Sequence, residues 1–157
     1  MNEYEESYEA LKLKNQLCFP LYVCSKEIVR GYSPYLKPVG LTYTQYITMM
    51  VLWEERQITV GDLGKKLYLD SGTLTPLLRK LEEAGYVTRT RSTMDERVVE
   101  ICVTEKGMEL REKVKDIPHR LGKNIMCGAN LTEEETAQLY TLLYKVIDGT
   151  TGGNEHE

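Results

Sequence analysis

The chain has 157 residues, 41% hydrophobic and 28% charged, which is enough for one core and therefore one domain. A net charge of −4 excludes a protein that coats nucleic acid over its whole surface, while leaving room for a local basic face. No apolar run approaches a membrane span, and the acidic start with its tyrosines lacks the basic flank and apolar stretch of a signal peptide, so a cytoplasmic location without a membrane partner is expected.

The first predicted element is a helix that carries Leu17-Cys18-Phe19-Pro20-Leu21-Tyr22 near its start. Cys18, Tyr22, Ser25, Val29 and Tyr32 recur at helical intervals, and Leu17, Leu21, Cys24 and Ile28 form the adjoining apolar stripe, which puts Cys18 at the stripe's edge. Tyr22 lies one turn away and can approach Cys18 of its own chain. Tyr32 cannot: fourteen residues of helix separate the two by roughly 21 Å, so Tyr32 meets a Cys18 only if a second copy of the helix runs antiparallel. Pro20 either opens the helix, leaving Cys18 just before its positive end, or kinks a continuous helix at a cost of about 3 kcal/mol.

Pro34, Pro38 and Gly40 then read as a connection. Thr42 to Gln45 and Thr132 to Glu135 both fit the capping box that satisfies free amides at a helix start. The first opens a helix near Tyr43 to Glu55. A short helix opened by Thr59 runs to about Tyr68, and another runs from about Ser71 to Ala84, with Leu74, Leu77, Leu78 and Leu81 on one face, Gly72 and Pro76 in its first turn and Gly85 as its stop. Beyond Gly85 the period becomes two. Tyr86 to Arg91 and Arg97 to Val103 predict a hairpin around Ser92-Thr93-Met94-Asp95-Glu96, with Val99, Ile101 and Val103 facing inward. A long helix is expected from near Glu105, with Leu110, Val114, Ile117, Leu121 and Ile125 on one seam, and a last helix carries Leu139, Leu142, Leu143, Val146 and Ile147. Gly149 to Glu157 reads as a frayed tail, and no internal repeat is found.

A short helix, a tight turn, a second helix and a hairpin describe a winged helix-turn-helix, mainly α with a β-hairpin wing. Residues 41–103 are then the DNA-binding region, 8–40 and 104–148 the dimerisation helices, and 149–157 a flexible tail. Burying the leucine face leaves Ser71, Thr73, Thr75, Pro76, Arg79 and Lys80 for the base edges of a double-stranded DNA operator. The hairpin adds Arg89, Arg91 and Arg97 for phosphates. A homodimer reads a pseudo-palindromic site whose halves lie about one turn, ~34 Å, apart. Glu82, Glu83, Asp95 and Glu96 dilute the local charge and would suit an ordinary solvated surface, but the order of elements favours a DNA reader.

The four cysteines, Cys18, Cys24, Cys102 and Cys127, show neither Cys-x-x-Cys spacing nor a histidine at ligand distance. Free thiols, no zinc site and no cofactor are expected. Cys24 and Cys102 read as spectators. The residue pattern alone leaves Cys18 open between a small core residue and a reactive thiol.

Asp95-Glu96-Arg97 followed by Val103-Thr104-Glu105-Lys106-Gly107 resembles the wing and helix-entry signature of MarR-type repressors. Leu69-Asp70-Ser71-Gly72-Thr73-Leu74-Thr75-Pro76-Leu77-Leu78 is similar to the recognition-helix segment of their organic-hydroperoxide-sensing OhrR/SarZ/MgrA branch, and Gln16-Leu17-Cys18-Phe19 matches that branch's sensing motif. The resemblance spans nearly the whole chain. It implies that organic hydroperoxide oxidises Cys18, that Tyr32 and Tyr43 from the opposite subunit face it, and that Asp95 and Arg97 pair to shape the wing. Oxidation is then expected to change dimer geometry and release DNA. In the two-cysteine version of the family a cysteine from the region of Cys127 in the opposite subunit resolves the sulfenic acid; in the one-cysteine version a low-molecular-weight thiol does so, and the motif around Cys18 is nearer the second. Pro20 departs from the family's pattern.

Two other readings stand beside this one. A MarR-type repressor can bind a small phenolic or lipid effector in a pocket, here with Met49, Met50, Trp53 and several tyrosines as lining. A thiol peroxidase is disfavoured, since Asn15-Gln16-Leu17-Cys18 lacks the Thr-x-x-Cys arrangement and arginine of peroxiredoxin-like sites; no enzymatic activity is expected.

Overall fold

Helix α1 spans Cys18–Leu36, after a 3-10 turn at Leu13–Asn15, in a computed structural model that describes residues 8–92, 95 and 97–152, the side chains of Met126 and Cys127 excepted. Cys18 is the first residue of α1 and Pro20 the third. The first four amides of a helix have no carbonyl of their own to bond, so the N–H that proline lacks is not missed there. Pro20 therefore belongs to the opening turn rather than to an interior kink. Pro34, expected in the connection, lies inside the last turn of α1. Leu36 just beyond it is 1% exposed; burying such a side chain contributes roughly 1.5–3 kcal/mol, which offsets most of the cost of an interior proline, about 3 kcal/mol. The connection that follows is a 3-10 turn, Lys37–Val39, closed by Gly40 at φ 71°.

Helix α2 (Tyr43–Glu55) opens with the expected capping box: Gln45 N donates to Thr42 Oγ1 at 3.3 Å, and Thr42 N donates to Gln45 Oε1 at 2.9 Å. Strand β1 (Gln57–Thr59) leads to α3 (Val60–Leu67), capped by Thr59, and then to α4 (Ser71–Glu83), capped by Asp70. Tyr68 makes the turn between these helices at φ 53°. Strands β2 (Val87–Arg91) and β3 (Val99–Val103) form the hairpin. The sequence suggested two strands; β1 adds a third, giving an antiparallel sheet in the order β1-β3-β2 with Ile58 opposite Ile101. Three residues with one apolar side chain carry too little alternation to be read as a strand.

The single long helix expected from Glu105 is two: α5 (Glu105–Val114) and α6 (Ile117–Ala129). Pro118 has no N–H to offer the carbonyl of Val114 and disfavours helical geometry in the residue before it, so the ladder breaks at residues 115–116. The apolar seam survives the break, and Leu110, Val114, Ile117 and Leu121 are all buried. Helix α7 (Glu133–Thr151) starts on the Thr132–Glu135 capping box and ends at Gly152, φ 74°. The tail expected from Gly149 is thus helical through Thr151, while residues 153–157 lie outside the described residues.

The core lies between α2, α3, α4, α5 and the sheet, where Met49, Leu52, Leu63, Leu81 and Ile101 have no exposed surface. Gly107 in α5 closes it: a Cβ there would stand 2.3 Å from the carbonyl oxygen of Tyr86 and 2.7 Å from Val103 Cγ2. The two ends of the chain are different. Helix α7 buries none of its residues, and Leu17 just before α1 and Phe19, Tyr22, Val23 and Ile28 within it are exposed, as are Leu139, Leu142 and Val146 of α7. Large apolar side chains left exposed in this number suit a contact face with a second protomer. Among the described residues no helix is long and apolar enough to cross a membrane.

Gly107→Ala should lower stability by an amount on the order of 1–3 kcal/mol, because the new methyl meets backbone and a strand side chain that cannot move aside cheaply. Urea unfolding measures it, and an unchanged midpoint would contradict the close approach.

Candidate nucleic-acid interface and thiol site

Helix α4 is two-faced because its leucines recur at helical spacing: Leu74, Leu77, Leu78 and Leu81 are buried, and the opposite face is left to water. Ser71, Thr73, Thr75, Pro76, Arg79 and Lys80 are all exposed there, as the pattern suggested. The start of the helix is held by Asp70, whose carboxylate accepts from Thr73 N at 2.8 Å and from Thr73 Oγ1 at 3.1 Å. These bonds hold its carboxyl below the usual carboxylate range. Pro76 is the sixth residue of α4, not part of the first turn; its missing amide leaves the carbonyl of Gly72 without a helical donor. Thr75 Oγ1 donates to the carbonyl of Ser71 at 2.7 Å.

The basic residues divide by partner. Arg79 pairs with Glu83 at 3.0 Å along the helix surface. Arg89 is half-buried and donates through Nε and Nη2 to Glu82 Oε2, at 2.7 and 2.6 Å, so it clamps β2 to the end of α4. That pairing holds the Glu82 carboxyl below its ordinary range. Lys80 and Arg91 are exposed, with no ion pair among the described residues. Arg97 stands at the turn with its side chain 92% exposed, its N and Nε both donating to Asp95 Oδ1, at 3.0 and 3.3 Å. A cleft of about 450 Å³ opens between the start of α3, α4 and the wing, with Thr59, Thr75, Arg89 and Arg97 in its wall. Glu82 was not singled out by sequence, because its bond crosses from a helix end to a strand and no local pattern encodes it.

Cys18 is exposed on the first turn of α1, and Tyr22, one turn on, is exposed as well. Lys26 Nζ stands 6.0 Å from the centre of the Tyr22 ring. Tyr32, at the other end of the same helix, packs on Tyr43 of α2 with ring centres 4.9 Å apart. Tyr46 joins them, 5.6 Å from Tyr32, and meets Trp53 edge-on at 6.2 Å. Burial pushes the hydroxyls of Tyr32 and Tyr43 up from their ordinary ionisation range, and the neighbouring Tyr43 adds to the effect on Tyr32. Tyr46 is pushed up to about 12 by burial and by the same two phenols. All three are therefore hydrogen-bond donors at neutral pH. Among the described residues, neither Tyr32 nor Tyr43 spends its hydroxyl on a partner within the chain.

The structure thus brings together Tyr32 and Tyr43 and leaves Cys18 apart from both. Sequence reasoning missed Tyr46 as a member of the cluster; its spacing from Tyr43 placed it on the helix, but ring contacts between helices have no sequence signature. Cys24 is exposed and Cys102 partly so, whereas the side chain of Cys127 lies outside the described residues. Met49 and Trp53 are packed in the core while Met50 is exposed, so the side chains expected to line an effector pocket do not share one environment. No group of residues that could hold a metal ion occurs among the described residues.

Comparison with known proteins bears on both surfaces. Residues 30–114 match the family of transcriptional regulators designated SarA/Rot. The organic hydroperoxide resistance transcriptional regulator of Bacillus subtilis (strain 168) is 47% identical over 140 residues, covering 88% of this chain and 95% of that protein. The HTH-type transcriptional regulator SarZ of Staphylococcus epidermidis is 45% identical over 135 residues, 86% of each. The solved structure of AbfR of Staphylococcus epidermidis is 34% identical, with a TM-score of 0.73 over 93% of this chain and 98% of that one. AbfR has also been solved reduced on DNA and with a disulfide formed, at TM-scores of 0.73 and 0.60, each covering 92% of this chain and 99% of its own, at 33% and 32% identity.

The raised tyrosines make stability depend on alkaline pH. The folded state holds protons that unfolded tyrosines release from about pH 10, so the stabilisation is fully present below that pH and is lost as pH rises towards the folded values. Urea midpoints should fall above about pH 10, and Tyr46→Phe should flatten that decline. An equally steep decline in Tyr46→Phe would show that its burial does not set the dependence.

Proposed function

Taking as premise that this chain belongs to the MarR-like SarA/Rot family of transcriptional regulators, we propose that it is a homodimeric DNA-binding regulator, acting as a repressor, whose Cys18 is oxidised by organic hydroperoxide, with release of DNA as the consequence. The observation that carries this reading is the separation of thiol and phenols. Cys18 is exposed at one end of α1, and two protonated phenols whose hydroxyls have no hydrogen-bond partner among the described residues, Tyr32 and Tyr43, stand together at the other end. Each half of the arrangement waits for a second copy. The exposed apolar residues of α1 and α7 offer the surface on which that copy sits. The dimerisation regions are then 8–40 and 104–148, and 41–103 is the DNA-binding region.

The chemistry is a two-electron transfer. The thiolate sulfur of Cys18 attacks the terminal oxygen of the hydroperoxide, an S–O bond forms, and the O–O bond breaks. The departing alkoxide takes a proton from water and leaves as the alcohol, while the sulfur becomes a sulfenic acid. A thiol then attacks that sulfur, forming a disulfide and expelling water. The thiol is a low-molecular-weight one or Cys127 of the partner subunit. Phenol donors hold the anionic sulfur with charge-assisted bonds, roughly twice as strong as neutral ones. Oxidation removes the charge and changes the shape they recognise, so one subunit shifts against the other. The spacing of the two α4 helices then no longer fits half-sites ~34 Å apart. The reaction is a stoichiometric switch in the cytoplasm, with no substrate turned over by a peroxidase cycle.

On DNA, Thr73 and Thr75 meet base edges with Ser71, Pro76, Arg79 and Lys80 around them, and Arg91 and Arg97 meet phosphates. Arg89 acts by holding the wing to α4 through Glu82. Arg91→Ala and Arg97→Ala should each weaken binding on every sequence and lower the salt slope by about 1, whereas Thr73→Ala and Thr75→Ala should relax discrimination between sites. Unchanged affinity and selectivity in all four would sink the DNA assignment.

For the thiol, gel shifts with DNA from upstream of the chain's own gene should show release by cumene hydroperoxide in the wild type and none in Cys18→Ser. Tyr32→Phe and Tyr43→Phe should still bind DNA and react more slowly, each having lost one hydrogen bond to the sulfur. Non-reducing electrophoresis identifies the resolving group. A dimer-sized band lost in Cys127→Ser indicates Cys127, and a monomer whose mass gains an added thiol indicates the small molecule. Release that persists in Cys18→Ser would refute the redox reading.

A further inference from the structure

We propose that Trp53 is the positioning residue through which the tyrosine cluster acts on the DNA-reading half of the chain, an inference that rests on the redox reading above. Trp53 is the only tryptophan of the protein. Its ring meets Tyr46, and Tyr46 meets Tyr32, so it is packed onto the cluster that faces the thiol. Its Nε1 donates to the carbonyl of Gly107, fifty-four residues away, at 2.7 Å in the buried interior.

Gly107 has no slack. With a Cβ it would overlap the carbonyl oxygen of Tyr86, so the first turn of α5 is seated directly on that peptide. Tyr86 is in turn a junction: its N–H donates to Leu81 at the end of α4, and its carbonyl accepts from Thr104 N at the end of β3, each at 3.0 Å. Thr104 Oγ1 donates to the carbonyl of Gly85, and Lys106 Nζ to that of Ala84, both at 2.7 Å. The last turn of α4, the root of the wing and the start of α5 are thus bonded together at one place. From the sensor side two side-chain hydrogen bonds reach the start of α5 among the described residues: the buried indole N–H to the carbonyl of Gly107, and the exposed Arg56 Nη1 to Met108 Sδ.

The consequence is mechanical. Close-packed rings transmit a displacement rather than absorb it. Ring contacts alone can slide, whereas a hydrogen bond from a buried indole fixes direction and distance. A shift of Tyr32 or Tyr46 on oxidation of the facing thiol therefore moves the start of α5 and, through Tyr86, the angle of α4 and the wing. Contact between the sites is not itself coupling, so the test measures coupling.

Trp53→Phe keeps an aromatic edge against Tyr46 and removes the N–H, while the carbonyl of Gly107 retains its helical amide from four residues on. Affinity for labelled DNA from upstream of the gene is measured before and after stoichiometric cumene hydroperoxide, with intact mass reporting oxidation of Cys18. The wild type should lose about tenfold or more, and Trp53→Phe should bind normally when reduced, oxidise to the same mass and lose less than about threefold. Emission excited at the red edge, where tyrosine does not absorb, reports Trp53 alone in the wild type. It should change on oxidation and stay constant in Cys18→Ser. Wild-type release in Trp53→Phe, or constant wild-type emission on oxidation, overturns the proposal. If Trp53→Phe does not fold, the wild-type emission decides. A wild type that is oxidised yet keeps its DNA overturns the redox reading instead, and the relay with it.

Discussion

Cys18 and Tyr32 stand on one continuous helix, and a rise of about 1.5 Å per residue holds them about 21 Å apart. The phenols at the far end are fixed there by packing on α2, at 4.9 Å between Tyr32 and Tyr43, so they cannot swing back. In the proposed site, a single chain therefore contains both halves and cannot assemble them. The apolar residues around Cys18, among them Leu17, Phe19 and Tyr22, are exposed for the same reason: what would cover them belongs to a second copy. In the proposed arrangement sensing and dimerisation use one surface. Any change at the sulfur consequently changes how two protomers sit, and with it the distance between two α4 helices that must match a fixed turn of DNA.

The DNA-reading half solves a different problem, that of presenting a basic face on an acidic protein. Glu82 and Glu83 neutralise Arg89 and Arg79 locally, while Lys80 and Arg91 have no ion pair among the described residues and Arg97 projects from the turn paired with Asp95. The half-buried Arg89–Glu82 contact joins the end of α4 to β2 and so orients the wing on α4. Rigidity comes from elsewhere. Gly107 against Tyr86, the hydrogen bonds of Tyr86, Thr104 and Lys106 and the buried leucines of α4 make the helix, wing and α5 one body. A body of this kind converts a small shift at its edge into a rotation of the whole reading face.

Features encoded by local chemistry were legible in the sequence. The capping boxes at Thr42 and Thr132, the Leu74–Leu81 face and the left-handed stop at Gly85 appear where spacing and residue type put them. The incompatibility of Cys18 with Tyr32 on one helix was legible too, since it needs only the helical rise. Features decided by distant contacts were not. Strand β1 exists because Ile58 pairs with Ile101; α1 continues past Pro34 because Leu36 is buried. The break before Pro118 was masked by a seam that stays in phase across it. For the proposed thiol site, the resemblance supplied Tyr32 and Tyr43, whereas Trp53 reads from the sequence as lining of an effector pocket and Tyr46 is not singled out. The contacts of Tyr46 with Tyr32 and with Trp53 appear only in the ring geometry.

The claim on which the rest depends is that Cys18 of one subunit works with Tyr32 and Tyr43 of the other. A mixed dimer tests it most directly, with one subunit carrying Cys18→Ser and the other Tyr32→Phe and Tyr43→Phe. Its one remaining Cys18 sits on the subunit in which Tyr32 and Tyr43 are replaced. An intersubunit site is complete in this dimer, and Cys18 should react with cumene hydroperoxide at the wild-type rate per thiol. A rate as slow as that of the doubly phenylalanine-substituted homodimer would place the phenols beside the thiol of their own chain and contradict the arrangement.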